Sequence, residues 1–154
     1  MDKIQENLVK VFASFIVGYS SAAPGTLGTL AGIPLYLFLY TRGTKIYVIF
    51  TILFFILGLE ISSLAETIFK KKDSQKIVID EISGFLVTML FVPYKIQFII
   101  LGFTLFRIID IWKPYPVYLF QNLEGGIGIM SDDLMAGIYS NIILQVVTRF
   151  NFLP

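Results

Sequence analysis

The chain has 154 residues, 56% of them hydrophobic, with a mean hydropathy of +0.78 and a formal net charge of +1. That length allows a single domain, residues 1–154, and the apolar fraction is far above soluble usage, so the composition describes an integral membrane protein. The near-zero charge lacks the basic footprint of a nucleic-acid binder, and the absence of Cys and His removes thiolate nucleophiles, zinc-thiolate sites and the commonest general base.

Along the chain, Ile4, Leu8, Val11, Phe12, Phe15 and Ile16 recur at helical spacing, with Asp2, Lys3, Glu6, Asn7 and Lys10 between them. This predicts an amphipathic helix over 1–17 lying in the membrane interface, followed by a helical core over 18–150. "GYSSAAPGTLGTLAGIP" is rich in Gly, Pro, Ser and Thr and predicts a loop, leading into a short spanning helix from Leu30 to Tyr40. After a turn at Arg42 and Gly43, Ile46 to Leu64 is long enough to cross about 30 Å of hydrocarbon at about 1.5 Å per residue. It exits into "FKKKDSQK", the densest positive charge in the chain. "IVIDEISGFLVTMLFVPYKIQFIILGFTLFRIIDIWKP" predicts a tight helical hairpin turning at Pro93 to Lys95. Pro114 to Met130 reads as a surface segment before a last helix from Leu134 to about Phe150. The expected fold is therefore all-α: a polytopic membrane bundle of short spanning helices with an interfacial N-terminal helix and a Gly/Pro-rich loop.

The lysine loop belongs in the cytoplasm by the positive-inside rule. Alternating spans then put Lys3, Lys10, Lys70, Lys71, Lys72, Lys76, Arg107 and Lys113 on that side, against Arg42, Lys45, Lys95 and Arg149 outside. The same assignment brings "SSAAPGTLGT", the acidic pair Asp80 and Glu81, "FRIIDIWKP" and "GGIGIMSDD" to one membrane face. A helix start explains one acid in each of the pairs Asp80–Glu81 and Asp132–Asp133, because a side-chain oxygen caps free N–H groups and suits the helix dipole. The second adjacent acid adds repulsion and desolvation that capping does not require. Asp110 falls near a helix C-terminus, where the dipole disfavours an anion. Five carboxylates on one face need cations. Arg107 and Lys113 supply two, unless they only snorkel or, for Arg107, pair with Asp110 one turn away. Hard oxygen ligands without His or Cys point to Mg2+ for the remainder. Around the expected start of the helix after the loop, Gly25, Thr26, Gly28 and Thr29 offer backbone N–H groups and hydroxyls to an anion such as phosphate; close packing through small residues is the plainer reading.

Taken together, "APGTLGTLAGIPL", "IVIDEISG", "FRIIDIWKPYPV" and "GGIGIMSDDLMAGIY" resemble the phosphatidylglycerophosphatase A family, in the family's order, from about residue 18 to residue 140. Ser83 departs from the apolar or bulky residue usual there. The resemblance implies an integral phosphatase of the bacterial cytoplasmic membrane, multi-pass and with its site facing the cytoplasm. It would remove the terminal phosphate of phosphatidylglycerophosphate, give phosphatidylglycerol and require Mg2+. Joined to the residue chemistry, it assigns Asp80, Glu81, Asp132 and Asp133 as metal ligands. It assigns Arg107, Asp110 and Lys113 to catalysis, and Pro24, Gly25, Thr26, Gly28, Thr29, Gly125 and Gly126 to substrate binding. Asp110 could be a nucleophile, a base for water or a further ligand. The rival reading is a small ion or solute transporter subunit with membrane-embedded carboxylates. Oligomeric state is not readable from the chain.

Overall fold

The computed structural model describes residues 1–150, and among them it has seven α-helices, one short 3₁₀ turn (Val17–Tyr19) and no strand. Helix α1 (Lys3–Ser14) opens with a reciprocal cap: the Gln5 N–H donates to Asp2 Oδ1 at 2.8 Å and the Asp2 N–H to Gln5 Oε1 at 3.1 Å. Ile4, Leu8, Val11 and Phe12 stay exposed along one side, as an interfacial helix requires. Its last turn does more than lie on a surface. Ala13 and Ser14 are fully buried, and the Val78 N–H donates to Ala13 O at 2.9 Å, tying α1 to the segment that precedes Asp80.

Helix α2 (Pro24–Thr41) corrects the expected loop, since "PGTLGT" forms its first turns and Pro34 lies inside it. Pro24 at the first helical position loses no intrahelical donor. The glycines form a face that lets the backbone approach its neighbour: a Cβ on Gly28 would stand 2.8 Å from Val78 Cβ, and one on Gly32 would stand 3.1 Å from a Phe85 ring atom. Gly43, at φ +89, makes the turn into α3 (Thr44–Phe69). Among the described residues α3 alone is long and apolar enough to cross a membrane by itself, with a mean hydropathy of 2.3 over its best window. Ile49, Ile52, Leu53, Ile56 and Leu57 point outward along it, and the stripe ends at exposed Glu60.

Helix α4 (Ile79–Thr88) is buried along nearly its whole length and forms the centre of the molecule. Around it pack α2, α3, α5 (Ile96–Trp112) and α7 (Gly125–Arg149), with α6 (Val117–Phe120) a single turn against α7. Tyr36, Phe85, Leu86, Met89, Phe106 and Leu144 are among the largest core side chains. The last helix starts at Gly125, not Leu134 as expected, so Asp132 and Asp133 lie in its interior and do not open it. Its first turns contain Gly125, Gly126 and Gly128, poor helix formers at about 1 kcal/mol each relative to Ala. Burial against α3 offsets that cost: the Gly126 N–H donates to Ser63 Oγ at 2.8 Å, and a Cβ there would collide with Leu59 O.

Candidate active site

At one end of the bundle the N-termini of α2 and α4, the C-terminus of α5 and the second and third turns of α7 meet. Asp80 and Glu81 occupy the first turn of α4, where the dipole favours anions, yet neither caps a backbone N–H. One carboxylate oxygen from each of Asp80, Glu81 and Asp133 lies within 4.8 Å of the others. Asp80 Oδ1, Glu81 Oε2 and Asp133 Oδ2 are all buried and lack a hydrogen-bond partner. Three clustered carboxylates that each keep a buried oxygen without a partner are costly unless a cation holds them. An all-oxygen set without nitrogen or sulfur suits a hard divalent cation.

Two basic side chains face this cluster. Arg107 Nη1 donates to Asp110 Oδ2 at 2.5 Å, the intrahelical pair expected from their spacing, while Arg107 Nε is buried with no partner. Lys113, the left-handed residue that ends α5, donates from Nζ to Asp132 Oδ2. Burial works against its ammonium, but Asp132 beside it outweighs that and raises the Lys113 pKa. Asp110 also lies close enough to Glu81 and Asp133 for its charge to act on both. The five acids foreseen in the sequence are thus neighbours, with Asp80, Glu81 and Asp133 closest together and Asp132 and Asp110 each bound to a cation.

The α2 segment enters the site through its backbone. A Cβ on Gly25 would collide with Glu81 Oε1 and stand 3.1 Å from both terminal nitrogens of Arg107, so the tips of these two side chains pack directly against the α2 backbone. Gly28 is next in line, 3.3 Å from Glu81 Oε2 by the same construction. Pro24 and Thr26 flank Gly25, half-buried. Thr29 is buried, and its hydroxyl donates to Gly25 O at 2.9 Å, a bond internal to the helix. Gly125 and Gly126 are not brought to the carboxylates; they seat the start of α7 on α3. Two residues outside the expected set border the site. Asp73 is exposed, and its charge reaches Asp80 and Asp132; its one visible signal was to be the lone acid in the lysine loop. Ser83, one turn after Asp80, is buried with an unpartnered hydroxyl.

The sequence profile of the family described as Phosphatidylglycerophosphatase A matches residues 11–148, which extends the resemblance into α1. A Haemophilus influenzae protein named Phosphatidylglycerophosphatase A is 40% identical over 138 residues, covering 85% of each chain. An Escherichia coli protein of the same name is 35% identical over 132 residues, covering 84% of this chain and 77% of its own. A Bacteroides thetaiotaomicron protein, provisionally named a phosphatidylinositol-3-phosphatase, is 34% identical over 146 residues, covering 90% and 91%. No solved structure matches. A profile match over nearly the whole chain, together with two relatives of the same name at this identity and coverage, shows that the chain belongs to the phosphatidylglycerophosphatase A family of phosphatases.

Proposed function

We propose that the protein hydrolyses the terminal phosphomonoester of phosphatidylglycerophosphate to phosphatidylglycerol and inorganic phosphate, with Mg2+, at the cytoplasmic face of a bacterial inner membrane. The observation that carries this reading is the trio of unpartnered buried oxygens on Asp80, Glu81 and Asp133 beside a guanidinium whose Nε is also unpartnered. Asp80, Glu81 and Asp133 would hold Mg2+, with Asp132 bordering them. Bound there, the ion would supply positive charge to a phosphate group. Asp110 orients the Arg107 guanidinium from one side, which leaves Nε to donate to a phosphate oxygen. Asp132 likewise orients the Lys113 ammonium as the second fixed positive charge. Gly25, lacking a side chain, lets the α2 backbone come up against the tips of Glu81 and Arg107, the two groups that would meet the phosphate. Water provides the incoming oxygen, the phosphorus–oxygen bond to the glycerol breaks, and the departing alcohol takes a proton.

The polytopic arrangement belongs to the same reading. Beside α3, the helices α2, α5 and α7 carry exposed Phe38, Ile100, Ile108 and Ile142 on their outer sides, which suit contact with lipid. The lysine loop at the site end then faces the cytoplasm. In this cysteine-free chain, Gln75→Cys and Thr44→Cys, both at exposed positions, should label from opposite sides of the membrane. Phosphate release by purified, reconstituted protein decides the chemistry. Release from phosphatidylglycerophosphate should cease on chelation and return with Mg2+. Full activity after exhaustive chelation would reject the metal, and release from phosphatidylinositol 3-phosphate alone would move the substrate to the one in the Bacteroides relative's name.

A further inference from the structure

Between α2 and α5 runs a groove of ≈ 280 Å³, lined by Leu30, Ile33 and Leu37 on one side and Ile96, Ile100 and Phe103 on the other. On α2 these residues repeat every three or four positions, and the next step of the same stripe toward the helix start is Thr26. On α5 the stripe Ile96, Ile100, Phe103 continues one turn on to Arg107. Each wall of an apolar groove therefore ends, at the same end of the molecule, in a polar residue of the phosphate site. Leu30 to Leu37 covers two turns, about 10 Å at about 1.5 Å per residue. Other outward faces lack this continuity. The stripe on α3 is equally apolar but ends at Glu60, an anion that would repel a phosphate.

We propose that this groove seats one acyl chain of the phospholipid substrate and so aims its phosphate at Thr26, Gly25 and Arg107. The proposal rests on the functional reading above and names the part of the substrate that the groove recognises. A polar head site continuous with a straight apolar trough has the shape of an amphiphile, and the tether between chain and phosphate fixes which lipid end lies where. Lipid tails are as apolar as the groove, so it adds little affinity of its own. Its effect is orientation, holding the phosphomonoester where the guanidinium can meet it.

The test fills the trough from outward positions. Leu30 and Ile100 are 44% and 60% exposed, so Leu30→Trp and Ile100→Trp add bulk without entering the core; Leu53→Trp on α3, at 55%, is the control. Filling the groove should lower kcat/KM on long-chain phosphatidylglycerophosphate about tenfold, the scale of lost positioning, and leave turnover of tail-less glycerol 3-phosphate unchanged. The Leu53 variant should match the wild type on both. Unchanged lipid turnover, or equal losses on both substrates, overturns the proposal. A second measurement does not depend on catalysis: a non-hydrolysable phosphonate analogue of phosphatidylglycerophosphate carrying a mid-chain diazirine should crosslink saturably to α2 and α5, and the tryptophan variants should lose that labelling. Labelling spread equally over the α3 face, or not competed by unlabelled lipid, overturns the groove. Loss of all phosphatase activity in the wild type with saturable groove labelling would instead sink the functional reading and leave the lipid seat standing.

Discussion

The two ends of α4 handle buried polar groups in opposite ways. At its C-terminal end the free carbonyls are met: Asn141 Nδ2 donates to Thr88 O at 2.8 Å and to Leu90 O at 2.7 Å, Gln145 Nε2 to Leu90 O at 3.0 Å, and Tyr47 Oη to Leu86 O at 2.6 Å. At its N-terminal end, Asp80, Glu81 and the facing Asp133 keep oxygens that nothing meets. Where polar groups serve only the fold, partners accumulate, because an unmatched buried acceptor costs roughly 1–3 kcal/mol. Where they are left open in a cluster of one sign, they are the place at which the proposed Mg2+ would be held. The same short helix thus carries a completed structural end and an incomplete chemical one.

The largest effect should come from the incomplete end. Asp133→Asn and Asp80→Asn should leave the protein folded and inserted but lower turnover roughly a hundredfold or more, about 2.7 kcal/mol in transition-state stabilisation. Asp132→Asn should also fall, although it releases Lys113 as well, so the first two separate metal holding from ion pairing more cleanly. Near-normal phosphate release from Asp133→Asn at low Mg2+ would break the contrast between the two ends. The completed end should answer in stability instead. Asn141→Leu strips two bonds from carbonyls of the α4 terminus and should cost roughly 2 kcal/mol, read as a lower Tm, while kcat per folded molecule stays unchanged. A fall in kcat without a fall in Tm would show that this end also takes part in the chemistry. Smaller still, Gly25→Ala puts a methyl group against Glu81 and Arg107 and should raise KM about tenfold, near 1.4 kcal/mol, with kcat less affected. An unaltered KM would mean that the phosphate enters from another side.

Legibility in the sequence followed how local each signal is. The amphipathic α1, the long apolar α3 and the hairpin of α4 and α5 were readable because their periodicity and length are carried within each segment. The pairing of Arg107 with Asp110 was equally local, one helical turn apart. Of the two glycine-rich stretches, "PGTLGT" was legible as a helix entry closely packed through small residues, although α2 begins at Pro24 and not at Leu30, whereas "GGIGIM" was misread as a turn. Glycine disfavours a helix, and both stretches are helical here because α4 and α3 press close enough to compensate. The placement of Asp132 and Asp133 at a helix start fell with the second of these. Thr29 and the pair Gly125 and Gly126 were legible as small or hydroxyl residues but not as structural ones, because only packing shows where their hydrogen bonds go.

Composition alone determined which chemistry is open to this protein: without Cys or His, any site must be built from carboxylates, hydroxyls, Lys, Arg and backbone. The motifs determined which residues are the candidates to carry it and to which family they point. The tertiary structure decided that Asp80, Glu81 and Asp133 form the inner trio while Asp110 is paired with Arg107 and Asp132 with Lys113, and that Gly25 packs against Glu81 and Arg107. The reason is distance along the chain: Gly25, Glu81, Arg107 and Asp133 lie on four different helices. Their separations depend on how closely those helices cross, and residue spacing within any one segment does not encode that.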